Sequence, residues 1–121
     1  MQILIVEDDL DVLQCLRSYL TERGHEVMTA CTAEEAIAWL NCSDPALIMA
    51  DLTLPKGNGR QVIQEVVKRH LHARVVVITA DDDLELRRDL LSLGIITDYL
   101  FKPITIRELN ALFDPYASKL T

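Results

Sequence analysis

Five short apolar runs punctuate this chain: ILIV at 3–6, VMTA at 27–30, LIMA at 47–50, VVVIT at 75–79 and YLF at 99–101. Several are continuous rather than alternating, the pattern of strands covered on both faces in a parallel sheet. Helical stripes lie between them. Leu13, Leu16 and Leu20 form one, and Ala36, Ile37 and Leu40 another. Val62, Ile63, Val66 and Val67 form a third, and Leu109, Leu112, Phe113 and Tyr116 close the chain. The leucine-rich segment 84–93 adds Leu86, Leu90 and Leu93 at helical spacing. Gly24 reads as a C-terminal cap. Thr32 with Glu35, and Thr105 with Glu108, read as capping boxes. Strand and helix alternate with no repeat or linker, which predicts one α/β domain over residues 1–121, a doubly wound five-stranded parallel sheet with five helices.

Composition narrows the partners. Half of the residues are hydrophobic but only 5% are aromatic, so the core is expected to be aliphatic. The formal net charge of −7 makes phosphate-rich surfaces poor partners, which argues against direct nucleic-acid binding and against an anionic membrane. Cys15, Cys31 and Cys42 are odd in number and lack C-x-x-C spacing. Each lies within two residues of an apolar one, so they are expected to be small buried hydrophobes in a reducing compartment. The N-terminus has no basic region, and no uninterrupted apolar stretch approaches a membrane span. A cytoplasmic protein is expected.

Right-handed crossovers put every strand's C-terminal end on one edge of such a sheet, where ligands bind. The residues just past the runs are Glu7, Asp8 and Asp9, then Cys31 and Thr32, then Asp51, then Thr79 with Ala80, then Lys102 with Pro103. In the flavodoxin-like strand order 2-1-3-4-5, strands one and three are neighbours, and Glu7, Asp8 and Asp51 converge. Packed carboxylates repel unless a cation sits among them. Oxygen-only ligands open to water suit Mg²⁺. Lys102 adds a point charge for an anion and Thr79 a hydroxyl donor. Acids, metal, lysine and hydroxyl together describe a site for phosphoryl transfer. Asp51, which lacks acidic neighbours of its own, is the best nucleophile for an acyl phosphate. Asp9 reads as the cap of the first helix.

With these residues in view, the whole chain resembles a response-regulator receiver domain of two-component signalling. "ILIVEDD" is similar to the family's first-strand acidic motif and "LIMADLTLPKGNG" to its phosphoacceptor motif. "VVVITA" is similar to its hydroxyl motif and "DYLFKPIT" to its lysine–proline motif. The resemblance implies that Glu7, Asp8, Asp51 and the backbone carbonyl of Thr53 hold Mg²⁺. It implies that Asp51 accepts a phosphoryl group from a phosphohistidine on a histidine kinase or histidine phosphotransfer protein, with Lys102 and Thr79 binding the phosphoryl oxygens. Thr79 and Tyr99 would act as a switch. The surface of helix four, strand five and helix five would then meet an output domain or a second copy. The domain would be a phosphoacceptor that assists its own phosphorylation and dephosphorylation rather than an enzyme. The bond from Lys102 to Pro103 is expected to be cis.

Departures from the family pattern set further expectations. "GIITDYLFKP" carries one extra residue between Gly94 and Lys102, which predicts an altered connection between helix four and strand five. Leu54 stands where Met is frequent, and Thr53 and Asp81 occupy positions that tune how water reaches the acyl phosphate. Asp81, Asp82 and Asp83 read as a capping, solvated loop. Arg87 and Arg88, on helix four, face solvent or a partner, while His70 and His72 suggest a solvated helix end. Two alternatives stay open. One is an interaction module with this fold and no phosphorylation. The other is a haloacid-dehalogenase-like phosphatase, although Thr53 stands where those enzymes place a second acid. The ends of the chain suit a stand-alone receiver or one followed by an output domain.

Overall fold

The computed structural model describes residues 1–53, 59–80 and 83–113. The expectations placed on Leu54, Asp81, Asp82 and Tyr116 lie outside the described residues. Within them, strands and helices alternate as β1 (Gln2–Val6), α1 (Leu10–Glu22), β2 (Glu26–Ala30), α2 (Ala33–Cys42), β3 (Leu47–Asp51), α3 (Gly59–Lys68), β4 (Arg74–Thr79), α4 (Leu84–Leu91), β5 (Ile96–Phe101) and α5 (Ile106–Phe113). The strands pair in parallel, in the order β2-β1-β3-β4-β5.

Burial follows the continuous apolar runs. The central strands β1, β3 and β4 are buried almost end to end, while the edge strands β2 and β5 expose Glu26, Thr97 and Asp98. Side chains alternate across the sheet, so each strand feeds two cores. Leu4, Val6, Ile48, Ala50, Val75 and Val77 pack under α2, α3 and α4 through Ala36, Leu40, Val62, Ile63, Val66 and Leu90. Ile3, Ile5, Met49, Val76 and Ile78 meet α1 and α5 through Leu13, Leu16, Leu20 and Leu109. Val67 and Leu93 fall outside these stripes and are exposed, and α4 stops at Leu91.

The caps form as local chemistry requires. Asp9 accepts from the N–H groups of Asp11 and Val12, and Gly24 takes a φ of +87° just past α1. Thr105 and Glu108 exchange bonds reciprocally, N–H of Thr105 to Oε1 at 3.2 Å and N–H of Glu108 to Oγ1 at 3.1 Å. Thr32 Oγ1 accepts the N–H of Glu35 at 3.1 Å.

The cysteines correct the expectation of burial. Cys15 and Cys42 are exposed, Cys31 is half-buried, and all three are free. An apolar neighbour in sequence lies about 100° away around a helix. Cys15 therefore sits off the Leu13–Leu16–Leu20 stripe, and Cys42 ends α2 on its outer side.

The extra residue before Lys102 is taken up inside the sheet rather than in the connection ahead of it. Val75 pairs with Ile96 but Val76 pairs with Asp98, leaving Thr97 unopposed as a bulge on the edge strand. Beyond it the register is regular, with Val77 opposite Tyr99 and Thr79 opposite Phe101. The irregularity thus stays at the end of the sheet remote from the acidic residues.

Gly59 is required by space. A Cβ there would lie 2.3 Å from the carbonyl oxygen of Asp51 and 3.2 Å from Cα of Leu52. The first residue of α3 therefore rests directly on the backbone that carries Asp51.

Two substitutions test this packing. Gly59→Ala should cost about 1–3 kcal/mol through overpacking, seen as a lower urea midpoint. An unchanged midpoint would mean that the helix is free to shift. Deleting Thr97 should regularise the β4–β5 ladder and leave stability within about 1 kcal/mol of the parent, whereas a collapse of the urea transition would show that the bulge is needed.

Candidate functional site

The C-terminal edge of the sheet is held by ladder bonds that run one residue past three strands. The N–H of Glu7 donates to Ala30 O at 2.9 Å, that of Leu52 to Ile78 O at 3.0 Å, and that of Lys102 to Thr79 O at 2.9 Å. The groups at this edge are therefore placed by rigid backbone. The Lys102–Pro103 peptide is cis, as expected from the sequence.

Glu7 is fully buried and Asp51 is 2% exposed, while Asp8 faces solvent. One carboxylate oxygen from each lies within 4.8 Å of the others, a grouping able to hold a metal ion. The ammonium of Lys102 enters the same notch, 2.5 Å from Glu7 Oε1 and 2.9 Å from Asp51 Oδ2. The remaining oxygens bind backbone. Glu7 Oε2 accepts the N–H of Asp8 at 3.0 Å, and Asp51 Oδ1 accepts the N–H of Thr53 at 2.9 Å.

One ammonium does not neutralise two buried carboxylates. Burial first, then the hydrogen bond with Asp51, pushes the Glu7 carboxyl up to about 7, even though Lys102 pulls the other way. For Lys102, burial works against the ammonium, but the hydrogen bonds to Asp51 and Glu7 outweigh it and hold its pKa above the ordinary lysine range. Between about pH 4.5 and 7, the folded chain keeps the Glu7 proton that the unfolded chain has released. Its contribution to stability therefore falls as pH rises through that window. Apart from the ion pair, Glu7 Oε1 is buried without a hydrogen-bond partner. An all-oxygen set with one solvent-facing member fits a hard divalent cation that keeps part of its water shell.

The sequence-derived residues divide by location. Glu7, Asp8, Asp51 and Lys102 come together. Thr53 contributes its N–H, and Thr79 is buried at the rim with its carbonyl bound to Lys102. Tyr99 is elsewhere. It is half-buried against the α2, α3 and α4 side of the core, with its ring 5.4 Å from that of Phe101. His70 and His72 are exposed, as expected of a solvated helix end. Two contributions escaped the sequence reading. Gly59 carries no side chain and so gives no chemical signal in the sequence, although its missing Cβ is what admits α3 against Asp51. Lys102 was visible as a site for an anion but not as a partner of two carboxylates.

The chain matches the family model described as "Response regulator receiver domain" over residues 3–114. It is 35% identical over 111 residues to the alkaline phosphatase synthesis transcriptional regulatory protein PhoP of Bacillus subtilis (strain 168), covering 91% of this chain and 45% of that protein. The transcriptional regulatory protein PmrA of Pectobacterium parmentieri is 33% identical over 110 residues or more, covering 92% of this chain and 50% of that protein. The chain thus spans about half the length of the curated relatives it matches. Among solved structures, a CheY-like response regulator receiver domain protein from Methanospirillum hungatei JF-1 superposes with a TM-score of 0.85 at 27% identity, over 98% of this chain and 94% of that one. The non-phosphorylated HemR receiver domain from Leptospira biflexa gives 0.86 at 27% identity, over 97% and 94%. With a family match over nearly its full length and the acidic notch at the expected edge of the expected sheet, the chain belongs to the response regulator receiver domain family.

Proposed function

We propose that this receiver takes a phosphoryl group onto the Asp51 carboxylate from a phosphohistidine on a histidine kinase or histidine phosphotransfer protein. The observation that carries this reading is the ammonium of Lys102 at 2.9 Å from Asp51 Oδ2, inside a notch otherwise walled by acids. In the transfer, a carboxylate oxygen of Asp51 forms the new O–P bond as the N–P bond of the donor breaks. The imidazole nitrogen keeps the electron pair and takes up a proton from water. The aspartyl oxygen is the nucleophile because it ends a buried strand, is oriented by the Thr53 N–H, and needs no deprotonation when ionised.

Glu7, Asp8, Asp51 and the backbone carbonyl of Thr53 would hold Mg²⁺. When bound, this ion supplies charge neutralisation at the phosphoryl oxygens, which otherwise meet three carboxylates. Lys102 would exchange its carboxylate partners for a phosphoryl oxygen, and the Thr79 hydroxyl would donate to another. The domain is a phosphoacceptor that assists its own phosphorylation and hydrolysis rather than an enzyme acting on a separate substrate.

The added charge of nearly two units at the rim would bias Thr79 and Tyr99, and through them the surface of α4, β5 and α5. That surface would serve an output domain or a second copy of the chain, since the relatives named above are about twice as long as the matched region. The receiver would occupy residues 1–121 and work in the cytoplasm, where phosphohistidine donors are made. Among the described residues, no helix is long and apolar enough to cross a membrane.

Incubation with Mg²⁺ and acetyl phosphate should add about 80 Da, one HPO₃ unit, by intact-mass spectrometry. Asp51→Asn should abolish the adduct. An adduct of equal yield in Asp51→Asn would remove Asp51 from the role.

A further inference from the structure

Helix α4 is the least anchored element on its side of the sheet. It runs only from Leu84 to Leu91, and Leu90 is its one buried residue. Leu84 and Leu91 are exposed, and Leu86 is half-buried. Besides the packing of Leu86 and Leu90 in the cluster that holds Ile96 and Tyr99, the guanidinium of Arg87 ties the helix to the edge strand. That group lies 5.3 Å from the ring centroid of Tyr99 and 5.4 Å from that of Phe101. The two rings are themselves 5.4 Å apart and tilted by 44°, so they form a shallow cradle open toward the helix. Guanidinium groups stack on aromatic faces in a way that an ammonium does not reproduce. Neighbouring Arg88, by contrast, is exposed.

The cradle is adjacent to the acidic notch by pairing. Phe101 sits opposite Thr79 and directly precedes Lys102, and Tyr99 sits opposite Val77. A displacement of Thr79 or Lys102 therefore reaches both rings through one strand pair, without crossing the core.

We propose that Arg87 is a positioning residue that latches α4 onto β5 and couples that helix to the occupancy of the Asp51 notch. The coupling rests on the phosphoacceptor reading given above. With the notch unphosphorylated, both rings hold the guanidinium and α4 stays docked. A shift of Phe101 beside the rim, or of Tyr99 behind it, breaks half of the cradle and frees the helix. Because coupling is reciprocal, loosening the latch must also favour the occupied notch.

The test compares the full chain with Arg87→Ala and Arg87→Lys. Amide hydrogen exchange over residues 84–91 is measured without phosphodonor, and the equilibrium Kd for beryllium fluoride, a phosphoryl mimic, is measured at saturating Mg²⁺ by calorimetry. Arg87→Ala should speed exchange in α4 by about two- to fivefold, the scale of one exposed cation–π contact, and should tighten the beryllium fluoride Kd by up to a similar factor. Arg87→Lys should fall between Ala and the parent in both. Unchanged exchange in Arg87→Ala overturns the latch. Faster exchange with an unchanged beryllium fluoride Kd overturns the coupling and leaves Arg87 as packing alone. If the parent chain itself takes no phosphoryl group, the phosphoacceptor reading fails and the coupling with it, while the exchange result still decides the latch. A guanidine-denaturation midpoint for each variant separates local release of α4 from global loss of the fold.

Discussion

A single ammonium held between two buried carboxylates organises the working edge of this protein. Lys102 reaches Glu7 and Asp51 from the end of β5, and those acids arrive from β1 and β3. Three strands distant in sequence are thereby tied at one point. The arrangement is electrostatically incomplete, since two carboxylates face one cation and Glu7 is driven up to about 7 by its burial. A folded chain tolerates such a site only where the surrounding structure fixes it. Here the ladder bonds at Glu7, Leu52 and Lys102 do so. Such frustration suits the cation and the phosphoryl group proposed above.

The placement of Asp51 depends on a second contact of a different kind. Gly59 opens α3 flush against the Asp51 carbonyl, where even a methyl group would overlap. The aspartate is therefore held by its strand on one side and by a helix terminus on the other. Its side chain is oriented by the Thr53 N–H and by Lys102. Rigid backbone and a minimum of free rotors suit the nucleophile proposed above, which must itself be held in line with the donor.

Much of this was legible in the residues. The continuous runs at 3–6, 47–50 and 75–79 mark buried parallel strands, and the polar residues that end them mark the rim. Asp9, Gly24 and the Thr105–Glu108 pair announce helix ends through local chemistry alone. Long-range packing was harder to read. The cysteines looked buried because apolar residues lie close by in sequence, yet helical phase turned Cys15 and Cys42 outward. The extra residue before Lys102 pointed to the connection ahead of β5, but an edge strand absorbs an insertion at low cost as the Thr97 bulge. Nothing local told Arg87 from Arg88. Only the pairing of β4 with β5 brings two aromatic rings under one of them.

We propose that a divalent cation completes this frustrated charge cluster. Carbon-13 NMR titration of the Glu7 carboxyl, with and without Mg²⁺, addresses it directly. Without the ion the group should titrate near 7, and saturating Mg²⁺ should move that midpoint well down, because a cation favours the ionised form. A Glu7 midpoint at the ordinary carboxylate value that is indifferent to Mg²⁺ would contradict the claim.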